Sequence, residues 1–168
     1  MLLEPPADAL VHALKYGGWS GLAPLMAARM SGLDLLPEGV TECAVVPVPT
    51  TRARRRRRGY NQAGLLATSL GSASGWPVIE ALERGGGART QVSLRPMERL
   101  ANVRRAFSLR DASVGPLEGI HVVLVDDVLT TGATVSAASE VLERAGVVGV
   151  SVVAFARAVP RLPEDAPR

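Results

Sequence analysis

Two adjacent carboxylates, Asp126 and Asp127, followed after two apolar residues by Thr130-Thr131-Gly132-Ala133-Thr134, are the residues of this chain best suited to chemistry. Hydroxyls and backbone N–H groups leading into a helix bind anions, because the first helical turn leaves its N–H groups unpaired and carries partial positive charge. Gly132 lets the backbone approach such an anion closely. The carboxylates cannot serve a phosphate. They accept hydrogen bonds from hydroxyls or hold a hydrated Mg²⁺, so the set calls for a sugar phosphate with free hydroxyls. The bland alternative is an acidic pair that opens a turn and a threonine that caps a helix.

The surrounding residues supply elements that can position this set. Val122-Val123-Leu124-Val125 reads as a buried parallel strand, and Val135, Ala138, Val141 and Leu142 recur at helical spacing over 133–145. Strand, loop and helix follow one another. Gly146 closes the helix, and 147–156 reads as a second buried strand. Upstream, 43–48 is a β-prone run whose Pro47 argues for an edge or a strand end. Helices are expected over 7–16, with Leu10, Val11 and Leu14 on one face, over 22–30, and over 62–70 with Leu65, Leu66 and Leu70 turned inward. A further strand is expected around 77–82, a flexible connection at Gly85-Gly86-Gly87, and a turn at 116–119. No internal repeat is present.

A chain of 168 residues with 47% hydrophobic composition is long enough for one core and short for two. Cys43 is the single cysteine, so this chain alone builds neither a disulfide framework nor a cysteine zinc site, and a reducing cytoplasm is the expected setting. The first residues show no basic region followed by an apolar leader, and no apolar run nears ~20 residues. Neither secretion nor a membrane span is expected. Charge is unevenly spread. Residues 52–110 hold 13 arginines and 3 glutamates, a balance of +10, against −7 for the remainder and +3 for the whole. A polyanionic ligand, pyrophosphate or nucleic acid, fits that concentration.

Most of it comes early. Arg52 and Arg54 to Arg58 repel one another, so the run is expected as a solvated loop or helix end unless an anion neutralises it. Three readings stay open: a solvated basic face, a pyrophosphate clamp and a single-strand nucleic-acid track. Lys15, the only lysine, reads as a solvated helix-end cation, with a place near the site as the alternative. His12 reads as a surface or packing residue, His121 as a structural residue, and Cys43 as a small core residue.

Residues 122–134 resemble the 13-residue signature of type I phosphoribosyltransferases at every position. The resemblance implies that Thr130, Thr131, Gly132, Ala133 and Thr134 hold the 5′-phosphate of 5-phosphoribosyl-1-pyrophosphate (PRPP). It implies that Asp126 and Asp127 hold its ribose hydroxyls and, indirectly, Mg²⁺. Pro49, Thr50, Thr51 and Arg52 would form the pyrophosphate loop. Further blocks resemble the ComF family of competence-associated, phosphoribosyltransferase-like proteins: Pro47-Val48-Pro49, then an arginine-rich stretch, then Arg58-Gly59-Tyr60-Asn61-Gln62-Ala63; His12-Ala13-Leu14-Lys15-Tyr16-Gly17; Arg89-Thr90 with Ser93-Leu94; and Glu98-Arg99 with Asn102-Val103. Together they cover roughly 10–156.

That resemblance implies an α/β domain with a mainly parallel sheet flanked by helices and a small hood. Residues 1–36 form N-terminal packing helices that contribute to the hood, 37–158 the core with a mobile hood loop about 84–110, and 159–168 a tail. Arg58, Asn61, Arg89 and Arg99 are its basic and hood candidates. Two departures stand out. Family members usually begin with a four-cysteine zinc ribbon, absent here, so either the ribbon was lost or the true start lies upstream; and Gln91 directly follows Thr90, displaced from the family's glutamine. The expected function is PRPP binding with Mg²⁺ and transfer of a phosphoribosyl group to an acceptor the sequence does not identify. The alternatives are single-stranded DNA handling with the competence machinery in natural transformation, and PRPP sensing without catalysis. The sequence leaves the oligomeric state open.

Overall fold

The computed structural model describes residues 1–85, 106–110 and 114–159. Most of the expected hood loop, with Arg89 and Arg99, and the tail from 160 on lie outside the described residues. In chain order the described elements are α1 (Ala7–Tyr16), a 3-10 turn (Ser20–Leu22), α2 (Ala23–Met30), β1 (Cys43–Pro47), α3 (Arg52–Arg58), α4 (Gln62–Ser74), β2 (Leu82–Arg84), β3 (Phe107–Leu109), a short α5 (Val114–Leu117), β4 (His121–Leu129), α6 (Ala133–Arg144) and β5 (Gly149–Arg157).

Strand alternation explains the layering. Side chains along a strand point to opposite faces in turn, so a central strand with apolar residues at every position must be covered on both sides. β4 is that strand: it pairs in parallel with β1, Val45 beside Val123, and with β5, Val123 beside Ser151. Val123 and Val125 pack with Val45, Val153 and Phe155 against Leu14, Met26, Met30, Leu66 and Leu70 of α1, α2 and α4. Val122 and Leu124 pack with Ala44 and Val46 on the opposite face, against Ala138, Val141 and Leu142 of α6, Leu117 and Phe107. Each fully buried Val or Leu contributes about 1.5–3 kcal/mol, so this two-sided core is what holds the sheet.

The helical spacings over 7–16 and 133–145 become α1 and α6, with Val11, Leu14, Val135, Ala138, Val141 and Leu142 buried. Pro47 is the last residue of an outer strand, where its missing N–H costs nothing. Other elements depart from expectation. β4 runs on through Asp126 and Asp127 to Leu129, because β5 continues to pair with it. β5 is buried at Val153, Phe155 and Ala156, but Val152 is 41% exposed, since an outer strand is covered less well. The strand expected at 77–82 is an isolated parallel bridge, Val78 to Val45, followed by β2, which pairs antiparallel with an unanticipated β3. Residues 114–117 form a short helix before the turn at Gly119.

The arginine run is also helical. Thr51 Oγ1 accepts the Arg54 N–H at 3.3 Å, Gly59 ends α3 in the left-handed conformation, and four arginines occupy the last turn, where cations favour the helix dipole. All its residues stay out of the core. Local capping and dipole thus outweigh the repulsion, which water screens. Among the described residues no helix is long and apolar enough to cross a membrane.

Candidate functional site

β1 and β4 are neighbours in the sheet but not in sequence. The chain leaves β1 toward α3 and leaves β4 toward α6, so the loops diverge and a cleft of about 230 Å³ opens at the strands' carboxyl ends. The Val48 N–H donates to the Val125 carbonyl at 2.9 Å, which places Val48, Pro49 and Thr50 beside Asp126. Asn61, just before α4, donates from Nδ2 to the Val48 carbonyl at 3.0 Å and fixes the same loop from the other side.

Period two puts Asp127 on the face of Val123 and Val125, the face α1 covers. Lys15, in the last turn of α1, meets it there: Nζ lies 3.1 Å from Oδ2 of the buried Asp127. Asp126 lines the cleft and accepts the Asp127 N–H on Oδ1 at 2.8 Å. Burial, and then the Asp127 charge, push its carboxyl up to about 7, against the opposing pull of that N–H, Lys15 and Arg84. A carboxyl poised there gains its charge when a cation or hydroxyl donors arrive.

Arg54, Arg58 and Arg84 line the same cleft. Burial and the Arg54 charge push the Arg84 guanidinium down, while Asp126 pulls it up; its Cζ sits 5.1 Å from the Phe107 ring centroid. Arg58 Nη1 donates to Gln62 Oε1 at 2.9 Å. Arg58 Nε and Gln62 Nε2 are buried donors without an acceptor, so this wall holds a surplus of N–H groups. The lining of one cleft thus combines carboxylates with guanidiniums, a set that can meet both hydroxyls and an anionic group.

Of the residues expected at the site, Asp126, Asp127, Pro49, Thr50, Arg58, Asn61 and Thr134 line this cleft together. Thr130 and Thr131 are exposed on the turn before it, where Thr131 Oγ1 accepts the Ala133 N–H at 3.4 Å and Gly132 takes φ 81° to start α6. Thr51 caps α3, and Arg52 lines a neighbouring hollow of about 130 Å³ with Arg55, Glu80 and Arg110. Lys15, read first as a solvated helix end, belongs to the site. Arg84 and Gln62 also line the cleft, and the sequence marks neither as a site residue. Arg84 follows a short β-prone run and carries no local motif, while Gln62 belongs to the Arg58 to Ala63 block and is a buried residue of the cleft lining. His121 and Cys43 are buried structural residues: burial lowers the imidazole, whose Nε2 lies 2.9 Å from Ser151 Oγ, and raises the thiol.

The model of the phosphoribosyl transferase domain matches residues 45–167, which include most of β1, all of β4 and β5, and the cleft residues other than Lys15 and Tyr16. The DNA utilization protein YhgH of Salmonella typhimurium is 36% identical over 165 residues, 91% of this chain and 68% of that protein. Competence protein F of Haemophilus influenzae is 40% identical over 119 residues, 68% of this chain and 50% of that protein. Among solved structures, glutamine phosphoribosylpyrophosphate amidotransferase from B. subtilis superposes on 82% of this chain and 26% of its own, with a TM-score of 0.51 and 23% identity, a likeness of fold. Because the relatives align over most of the chain and the domain match runs from within β1 through β4 and β5, the chain belongs to the phosphoribosyl transferase domain family, as one of its ComF-type, competence-related members.

Proposed function

We propose that the cleft binds PRPP with Mg²⁺ and that the chain transfers the phosphoribosyl group to an acceptor. The observation that carries this reading is the meeting of the Asp126-Asp127 pair with Arg54, Arg58 and Arg84 in one cleft at the ends of β1 and β4. In this reading Asp126 and Asp127 accept hydrogen bonds from the ribose hydroxyls. The turn from Thr130 to Thr134 holds the 5′-phosphate at the start of α6. Pro49, Thr50 and the arginines hold the pyrophosphate. The C1–O bond to pyrophosphate breaks, the leaving group keeps the electron pair, and the ribose turns cationic as the acceptor bonds to C1. Carboxylates beside that cation and guanidiniums on the leaving group stabilise the charges that develop.

The residues fit Mg²⁺ as a passenger of the substrate. Two adjacent carboxylates face the cleft, and among the described residues no group of three His, Cys, Asp or Glu side chains forms a cage. Mg²⁺ takes one or two carboxylates and completes its shell with water and phosphate oxygens. When bound it would neutralise charge on the leaving pyrophosphate. A buried, single Cys43 suits a reducing, cytoplasmic setting.

Calorimetric titration of PRPP with and without Mg²⁺ tests the reading. Micromolar affinity, about −8 kcal/mol, that needs Mg²⁺ is expected, and the D126A/D127A double variant should lose it while keeping its fold. A double variant that binds PRPP like the wild type would overturn the site.

A second reading is single-stranded DNA handling. It draws on α3, where Arg52 and Arg54 to Arg57 are exposed, and on the relatives' names, DNA utilization protein and competence protein. Phosphate contacts by these arginines would make binding fall steeply with salt. A PRPP-bound protein without turnover would make the chain a sensor, which product analysis separates from a transferase.

A further inference from the structure

Two helices begin at the cleft, one from each face of the sheet. α6 starts behind Gly132 on the face of Val122 and Leu124, and its Thr134 lines the cleft. α4 starts behind Asn61 on the opposite face, where Leu66 and Leu70 pack with Val123 and Val125, and its Gln62 and Ala63 line the cleft. The start of α4 has no side-chain cap. Asn61 sends its Nδ2 to the Val48 carbonyl at 3.0 Å instead of turning its oxygen onto the helix. The first-turn N–H groups of this 13-residue helix therefore carry the positive end of its dipole without a side-chain acceptor.

Gln62 is a separate pointer to a ligand. It is 3% exposed, and its Oε1 accepts from Arg58 Nη1 at 2.9 Å. A guanidinium only donates, so this bond fixes the amide with Oε1 toward Arg58 and leaves both Nε2 hydrogens for another acceptor. None is present among the described residues, either for Gln62 Nε2 or for the buried Arg58 Nε. The Arg58 guanidinium lies over the Tyr16 ring, 4.9 Å from its centroid, a contact that offers its N–H groups no oxygen. Buried donors without acceptors are rare, because each has given up its hydrogen bonds to water. The surroundings are fixed before any ligand arrives: the Tyr60 hydroxyl donates to the Leu14 carbonyl at 2.7 Å and ties the approach to α4 onto α1.

We infer that the start of α4 is a second oxyanion site, in which its first-turn N–H groups, the Gln62 amide and Arg58 take a phosphoryl group, and that Gln62 selects ligands carrying that group. A phosphoryl group presents oxygens in several directions and so matches donors that arrive from a helix start, an amide and a guanidinium. The inference rests on the reading of the cleft as a PRPP site and deepens it. With the 5′-phosphate at the start of α6, the pyrophosphate lies at the start of α4, and the acidic pair of β4 belongs to the sheet layer that separates the two helices. Half of the loop expected to hold pyrophosphate is engaged elsewhere, since Thr51 caps α3 and Arg52 lines the neighbouring hollow.

The experiment is calorimetric titration of PRPP, inorganic pyrophosphate and ribose 5-phosphate, each with Mg²⁺, into wild type, Q62E and Q62M, with thermal unfolding of all three proteins. Glutamate keeps the shape and the oxygen that meets Arg58 but removes the donors, and methionine keeps the shape with neither donor nor charge. Q62E should weaken PRPP and pyrophosphate at least tenfold and Q62M at least threefold, while ribose 5-phosphate stays within twofold and Q62E unfolds no earlier than wild type. Variants that bind PRPP within twofold of a wild type that binds it would overturn the oxyanion site and leave the PRPP reading standing. An equal loss of ribose 5-phosphate would overturn it as well, because Gln62 would then only hold the cleft in shape. Pyrophosphate binding that both variants weaken, in a protein that does not bind PRPP, would overturn the PRPP reading and keep the oxyanion site. A wild type that binds neither PRPP nor pyrophosphate would overturn both.

Discussion

Asp126 and Lys15 hold opposite ends of the acidic pair's electrostatics. The Asp126 carboxyl lies at about 7 in the folded protein against an ordinary 3.8, so the folded chain keeps a proton that the unfolded chain has lost between those values. Its contribution to stability is therefore complete below about pH 4 and vanishes as pH rises through about 7. Denaturant unfolding at pH 5 and pH 8 should show this fall, and D126N, which cannot ionise, should be more stable than wild type at pH 8 by about 1–3 kcal/mol. An unchanged pH slope in D126N would contradict the assignment. By the same logic PRPP with Mg²⁺ should bind more tightly as pH rises from 6 to 8, because the ligand favours the charged carboxyl. Lys15 answers Asp127 at 3.1 Å, with side-chain exposures of 23% and 12%. K15M should cost about 1–2 kcal/mol by leaving that carboxylate unpaired, and a double-mutant cycle with D127N should return most of it as coupling. Additive losses would mean that the pair is worth nothing.

Among the elements, α3 and α4 make separable predictions. α3 displays Arg54 to Arg58 on a capped helix, which suits phosphate contacts along a strand. Replacing these five arginines with glutamine should lower affinity for single-stranded DNA and flatten the slope of log K against log salt by roughly 0.7 per lost phosphate contact. An unchanged slope would remove α3 from the DNA reading. α4 runs to Ser74, past the 62–70 read from leucine spacing, and its last turn touches the bridge at Val78. A Cβ on Gly71 would lie 2.5 Å from Val78 Cγ2 and 2.8 Å from the Trp76 carbonyl. The G71A variant should therefore lose about 1–3 kcal/mol, although alanine is the better helix former. A more stable variant would show that the bridge yields easily.

For the molecule as a whole, the described arginines of residues 52–110 are spread over several surfaces. Arg54, Arg58 and Arg84 turn to the cleft, Arg52, Arg55 and Arg110 to the hollow beside Glu80, and Arg57 to the hollow at Tyr16. Composition pointed to a polyanionic ligand. It could not divide the arginines among these places, because the division follows from where α3 docks and where β2 crosses, neither of which has a local signature.

What the sequence determined by itself was whatever depends on near neighbours. The apolar run and acidic pair of β4, the helical spacing of α6 and the glycine turn between them are short-range patterns, and they sufficed for the parallel sheet and for Asp126, Asp127 and Thr134. The resemblance of 122–134 and of the blocks around it added the family. Tertiary structure decided the partners brought from far along the chain: Lys15 on Asp127, Asn61 on Val48, Tyr60 on Leu14, and Arg84 facing Asp126. It also decided that the arginine run is a helix and that β4 continues through its carboxylates, since capping, strand pairing and burial settle these only after packing. Periodicity records which face of an element is buried. Which other element covers that face, and with which charge, is decided only when the chain closes on itself.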